Sequence, residues 1–486
     1  MNIDLNSRRP NGIRGLFLIW LGQMISGIAS STAFFALPIW ILTKTGTSGS
    51  ALAYWESFYF TAYLVVALFA GVFIDRYNRK VMMLVYDFLL LSATVILLVL
   101  ESSGGLAVWH LYVAAIFQGV GYAFRLPSYS STITLLVPRN QYVRANGMIA
   151  LLYNAPEIFG PVLAGVFYLA IGLNGILGIN LLALVFSIGT LLFVDIPPTP
   201  HTKEGEMSQS KFLQEAFYGI KYILKRPGLL GIQLIFFLGN IFSGIALSLT
   251  AIYTMVLLRT GGNPEIAGTV QSVGALAAVF AGVFLSLFGG IKHPARAILL
   301  GWLLSSMFGL TLLGIGQVLV IWLIAKVIDS LFEPVVNVAL ETFLQVKIPP
   351  DIQGRVFSAS DFIAQLPFLF TPLLAGFFGE KVFEPAMKAG GILANRFGWL
   401  VGTGAGSGFG LMILLCGIGG TLVALVGYFS PAIRNADRIL PDYVLLPPVG
   451  LMRREQSTPA EEKSTPDSIK EPAGKASGES APARKK

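Results

Sequence analysis

Long apolar runs broken by short polar stretches set the plan of the chain. Runs of about 20 or more mostly apolar residues, the length at which a helix crosses the hydrocarbon core of a bilayer, fall at 14–42, 51–74, 81–100, 106–126, 146–172, 175–195, 228–258, 265–289, 296–315, 318–345, 356–379 and 407–430. They predict an all-α membrane protein with twelve transmembrane helices, and the even count leaves both termini on one side. The run from Leu16 to Leu42 is too long for the apolar core of a cleavable signal, so it is expected to remain as the first span.

The pattern also repeats. Phe69-Ala70-Gly71-Val72-Phe73 recurs as Phe280-Ala281-Gly282-Val283-Phe284, a shift of 211, and the same shift brings Arg144 onto Arg355, Pro161 onto Pro372 and Ala164-Gly165 onto Ala375-Gly376. One offset holding over about 95 residues argues for duplicated halves. The expected organisation is two pseudo-symmetric six-helix bundles, 1–196 and 228–433, joined by a polar cytoplasmic linker, 197–227. A cytoplasmic tail, 434–486, becomes poor in apolar residues beyond Leu451 and is expected to be mostly disordered. Within the linker, Gln209–Leu224 reads equally well as an amphipathic helix on the inner leaflet or as a plain connection. Parallel repeats of this kind imply two bundles that rock about a central cavity.

Charge refines the picture. Only 12% of residues are charged against 54% hydrophobic, and mean hydropathy is +0.71, which makes the bilayer the solvent. With the N-terminus inside, the inside segments hold 27 Lys and Arg against 5 outside, and the bias survives removal of the eight cations beyond Leu451. Both termini are therefore expected in the cytoplasm, and the net charge of +8 reflects topology and anionic lipid rather than nucleic acid. One cysteine, Cys416, excludes an intramolecular disulfide; with three scattered histidines, neither a metal nor a cofactor is expected. The chain lacks a GxxxxGK[ST] loop, which disfavours ATP-driven transport. No nucleophile, base and orienter fall at one depth, so an enzyme is not expected.

Three motifs carry chemistry. Between the second and third runs lies Gly71-Val72-Phe73-Ile74-Asp75-Arg76-Tyr77-Asn78-Arg79-Lys80. Its cations alone would serve as topology anchors, but the spacing G-x-x-x-D-R-x-x-R-K resembles the loop between helices 2 and 3 of the major facilitator superfamily. That resemblance implies a cytoplasmic gate motif, Gly71, Asp75, Arg76, Arg79 and Lys80, whose carboxylate engages the start of helix 11 around Arg355–Ser358; a carboxylate there gains from the helix dipole. The second half has Ser286 and Gly290 at the matching positions, so the working loop is the first one. In span 5, Gly147, Pro156, Gly160, Pro161 and Gly165 resemble the antiporter motif of superfamily exporters, with Pro156 and Ala164 where glycines are usual. Small residues allow close helix contact and prolines bend the helix, as a hinge needs, although packing alone would also use them. In span 4, Leu111, Ala115, Gln118, Gly119, Gly121 and Ala123 resemble the helix-4 motif with its arginine replaced by Ala115. The whole chain looks most like the macrolide-efflux and enterobactin-exporter branch, which implies a bacterial inner-membrane exporter.

Buried charge supplies the coupling candidates. Shifted by 211, Ala115 falls on Lys326 and Gln118 on Asp329, and Lys326, Asp329 and Glu333 share one face of span 10. Asp329 lies about 15 Å into its span and Glu157 about 16 Å into span 5, near the midplane, where ionisable groups normally meet a cavity or a partner. The alternative for Lys326 and Asp329 is a pair that fixes packing. Glu56, Asp87, Glu341, Asp361 and Arg125 fall nearer span ends and read as interfacial or gate-forming. Gln23, Ser30 and Gln118 are expected on a polar strip along the cavity. The resulting expectation is a monomeric secondary transporter exporting an amphipathic small molecule (drug, macrolide-like compound or siderophore) by alternating access in exchange for protons. The rivals are an uncoupled facilitator or lipid flippase of the same fold, and a non-transporting membrane sensor.

Overall fold

The computed structural model describes residues 12–46, 48–76, 79–136, 142–196, 219–288, 291–348 and 353–440. Most of the expected linker and tail lie outside these residues, as do the side chains of Gly71, Asp75, Arg76 and Arg79 and of Arg355.

The described residues are overwhelmingly helical and include no strand. Four helices open the chain: α1 (Gly12–Lys44), α2 (Gly49–Arg76), α3 (Arg79–Ser102) and α4 (Val108–Leu136). The next helix, α5 (Tyr142–Phe193), is 52 residues long, far beyond what one bilayer crossing needs. It breaks at Gly172, whose φ of 66° suits glycine and little else. Ser31 meets Pro156 before the break while its neighbour Ser30 meets Asn180 after it, so the chain turns back at Gly172 and lays both arms along α1.

Beyond the linker, α6 (Pro227–Leu247) and α7 (Leu249–Arg259) are separated at Ser248, whose hydroxyl accepts from the Ala251 N–H as an N-cap. Then come α8 (Pro264–Phe288), α9 (Pro294–Leu304), α10 (Thr311–Ile315), α11 (Leu319–Lys347), α12 (Gln353–Gln365), α13 (Thr371–Phe377), α14 (Glu384–Met387), α15 (Ala394–Val401) and α16 (Ser407–Phe429). Two π-helical segments, Ser305–Leu310 and Phe378–Phe383, interrupt this part. Each widens the helix by one turn, and each delivers a polar side chain, Ser305 or Glu380, to a carboxylate contact described below. Among the described residues, eight helical stretches are long and apolar enough to cross a membrane.

The largest apolar cluster joins α1 (Leu37, Ile41), α2 (Trp55), α7 (Tyr253), α11 (Trp322) and α16 (Phe409), all buried. Water exclusion does not hold helices together in lipid, so close packing must. A Cβ on Gly268 of α8 would sit 2.2 Å from the Pro161 carbonyl oxygen, and one on Gly165 2.8 Å from the Glu265 Cα. Only glycine lets α5 and α8 come this close.

Candidate transport cavity and gate

A cavity of about 340 Å³ opens among α1–α5, with Leu249 of α7 and Gln271 of α8 completing its wall. Its polar groups are few and distinct. Glu157, exposed to the cavity, and Arg125 supply opposite charges. The two stand in the same lining, on α5 and α4. Gln118 and Gln271 each leave the amide oxygen buried and unpaired in the wall, acceptors with nothing yet to accept from. Around them stands an aromatic wall: Phe34 packs on Trp55 at 4.8 Å and on Tyr59 at 4.9 Å, and Tyr59 continues to Tyr122 at 6.3 Å. A few polar anchors in an aromatic surround suit an organic ligand larger than a simple ion.

One end of this cavity is clasped by two carboxylates that bind helix starts across the molecule. The break at Ser248 strands the first N–H groups of α7; Glu56 of α2 accepts from Leu249 N–H (3.1 Å), Thr250 N–H (3.0 Å) and the Thr250 hydroxyl (2.9 Å). In return Glu380 accepts from Ser50 N–H (2.7 Å) and the Ser48 hydroxyl (3.1 Å) at the start of α2. Charge-assisted bonds of this kind are about twice as strong as neutral ones. A Cβ on Gly376 would lie 2.7 Å from that of Ala53, so α2 and α13 touch almost backbone to backbone beside the clasp.

Two further acids are buried away from the cavity surface. Asp329 and Lys326 form an ion pair at 3.3 Å, and Ser305 donates to the other Asp329 oxygen at 2.7 Å. Gly274 and Gly309 make room for this pair: a Cβ on either would fall within 2.7 Å of the Lys326 or Asp329 side chain. Asp87, on α3, is wholly buried. Its Oδ2 accepts from Gln23 Nε2 (2.9 Å) and the Ser187 hydroxyl (2.9 Å), and Gln23 Nε2 also donates to Ser187 Oγ at 2.8 Å.

The expected site residues fall in several different surroundings. Ser30, Gln118 and Glu157 line the cavity, as does Pro156. Gln23 does not: it turns away to Asp87 and Ser187, a correction to its place on the polar strip. Asp87 and Arg125 are not at an interface either, Asp87 being enclosed and Arg125 in the cavity wall. Glu333 is exposed, outside the Lys326–Asp329 pair. Gly160 packs on α1, where a Cβ would meet Ser31 Oγ at 2.2 Å, while Pro161 and Gly165 face α8. Gly147 lies in the first turns of α5. Lys80 reaches back to the end of α5, donating to the carbonyls of Val194 (2.7 Å) and Leu192 (3.4 Å), as a cation at a helix C-terminus does. Sequence reasoning missed the clasp because nothing in the run 228–258 announces that Ser248 breaks it; only the Ser-Leu-Thr polar interruption hints at a cap.

The family profile of the Major Facilitator Superfamily matches residues 19–372. Macrolide efflux protein A of Streptococcus pyogenes is 26% identical over 374 residues, covering 75% of this chain and 89% of the relative. Multidrug resistance protein MdtG of Rahnella sp. is 24% identical over 375 residues, 75% of this chain and 86% of its own. Among solved structures, an inward-facing, unoccupied bacterial homologue of the human lysosomal transporter Spinster superposes with a TM-score of 0.59 at 14% identity, covering 88% of this chain and 97% of that one. That likeness establishes the fold.

Proposed function

The chain belongs to the Major Facilitator Superfamily, and from that premise we propose that it exports an amphipathic small molecule across the bacterial inner membrane by alternating access, in exchange for protons. In this reading twelve spans make two six-helix bundles, 1–196 and 228–433; the eight long apolar stretches, with α5 counted as two arms, and the helices α2, α4 and α11 support that count. The linker 197–227, the tail 434–486 and both termini lie on the cytoplasmic side, and the working unit is a monomer.

The observation that carries this reading is the cavity itself, with Glu157 and Arg125 beside an aromatic wall and the Glu56 and Glu380 clasp closing one end. The Lys and Arg bias supports an outer position for that end, and in this reading the arrangement is an inward-facing stage of the cycle. Relatives named for macrolide efflux and multidrug resistance support a bulky amphipathic cargo and outward transport. Closing the opposite end brings Asp75 and its neighbours Gly71, Arg76, Arg79 and Lys80 toward the start of α12, while the glycine and proline seam of α5 slides on α1 and α8.

The test is ethidium flux in proteoliposomes of the full-length chain, with and without a pH gradient. The expected result is gradient-driven accumulation that Glu157→Gln reduces severalfold. Flux indifferent to the gradient would leave an uncoupled facilitator or lipid flippase. Absence of flux for ethidium and for uncharged and zwitterionic amphipathic dyes alike would overturn transport, and loss of activity on deleting 452–486 would point to a tail-driven sensor.

A further inference from the structure

Among the described residues, Asp87 is a buried acid with one unpartnered oxygen and no ion-pair partner in contact. It is wholly buried on α3, and both of its hydrogen bonds, from Gln23 and Ser187, fall on Oδ2. Oδ1 faces no donor. From α1 and from the second arm of α5 the groups in contact are neutral. The ionisable groups that act on it are Tyr86, its neighbour on α3, and Arg125 of α4, and both line the cavity. A permanently charged carboxylate is a poor tenant here, since a buried charge normally takes a cation and fills its lone pairs.

The triangle of Gln23, Asp87 and Ser187 suits two protonation states with the same heavy-atom positions. With the carboxylate, the Ser187 hydroxyl donates to Oδ2 and accepts from Gln23. With the acid, a proton on Oδ2 points to Ser187 Oγ, the serine hydrogen rotates away, and Oδ1 becomes an ordinary carbonyl oxygen. One proton is gained or lost and no heavy-atom contact breaks.

We propose that Asp87 is the proton-binding site of this transporter and that Arg125 couples it to Glu157 in the cavity; this rests on the exchange reading above. Arg125 and Glu157 line the same cavity as Tyr86, the neighbour of Asp87 on α3. With Asp87 ionised, Arg125 is drawn toward it and Glu157 is left to hold a cationic amphipathic ligand. With Asp87 protonated, Arg125 turns its charge to Glu157 and displaces that ligand. Proton and cation thereby exclude one another without sharing a residue.

Infrared spectroscopy of the full-length protein in lipid, titrated in pH without substrate, reads the acid directly. The expected result is a carboxylic-acid C=O band that disappears as pH rises, is missing in Asp87→Asn, and persists in Glu157→Gln and Asp329→Asn. A band unchanged in Asp87→Asn overturns the proposal, as does a wild-type band displaced by sodium at constant pH and ionic strength, which would make the site a metal-cation site. Should Asp87→Asn fail to fold, the pair Gln23→Leu with Ser187→Ala keeps the acid but strips the donors that favour its ionised form. Its band should then vanish at a higher pH, and an unmoved midpoint sinks the assignment. In vesicles, Asp87→Asn holds the site in its neutral form, with Arg125 on Glu157, so gradient-driven ethidium accumulation should fall to the gradient-free level; accumulation still driven by the gradient overturns the coupling. A wild type with a titrating Asp87 band but no gradient-driven flux would refute proton exchange and leave the binding site standing.

Discussion

Asp87 on α3 and Asp329 on α11 are both buried acids in long membrane helices, and their surroundings are opposite. Asp329 has Lys326 on one oxygen and Ser305 on the other, so charge is answered by charge and both lone-pair sites are used. Asp87 has two neutral donors crowded on one oxygen and none on the other. Burial alone therefore does not mark a working acid. An ion pair with both oxygens engaged behaves as one structural unit, because neutralising either member strands its partner. A carboxyl among neutral donors can change its proton and strand nothing. On this argument the α11 pair is suited to fixing packing, and the proposed mobile proton is placed on α3.

The largest effect that separates the two sites is expected on α11. Lys326→Met leaves Asp329 buried without its cation and should lower stability against denaturation in mixed micelles by about 3–5 kcal/mol. Replacing both, with Lys326→Met and Asp329→Leu, should restore most of that loss. If the single variant is as stable as the parent, Asp329 is not held by its pair, and the contrast with Asp87 collapses.

Glu56 sharpens the comparison as a third solution, a buried carboxylate answered by helix N–H groups instead of a cation. Glu56→Gln keeps its shape and loses its charge. Hydrogen bonds to charged groups contribute about 1.5–3 kcal/mol, so the outer end should open more often. Spin labels at Lys44 and Lys388 should then report a broadened, longer distance distribution. Glu380→Gln should act in the same direction but less, because Glu380 is partly exposed and its partners can bond to water instead. Unchanged distances in both would show that apolar packing alone closes this end.

What was legible in the sequence follows from what a bilayer demands. Apolar runs of spanning length and the loop with Asp75 identify the family, since a helix in lipid must be apolar and a motif at a turn is read along the chain. Facing is harder. Gln23 and Ser30 both lie on α1, yet one meets Asp87 and the other lines the cavity; a helix apolar on nearly every side carries no periodic signal of which side sees water. Depth misleads too. Arg125 looked terminal because the apolar run stops at 126, but α4 continues to Leu136 and places Arg125 in the cavity wall. Asp87 lies early in α3 but is enclosed by α1 and α5, contacts set by the turn at Gly172 rather than by its own neighbours in sequence.

The smallest expected change in stability is also the most telling. Asp87→Asn swaps an acid for an amide of the same size: once the Gln23 amide turns over, the new NH2 can donate to Ser187 Oγ and to Gln23 Oε1 while its carbonyl oxygen takes the place of Oδ1. If Asp87 is neutral for part of the cycle, the folded protein already accommodates a neutral group there, and stability at mildly acidic pH should change by less than about 1 kcal/mol. Asp329→Asn should lose several times more under the same conditions, because Lys326 is then buried alone. Equal losses would mean that Asp87 is ionised in the folded state and that its charge is answered by Arg125 at longer range. The two acids would then differ only in the distance to their cations, and the proton would have to be sought at Glu157, the carboxylate that faces the cavity.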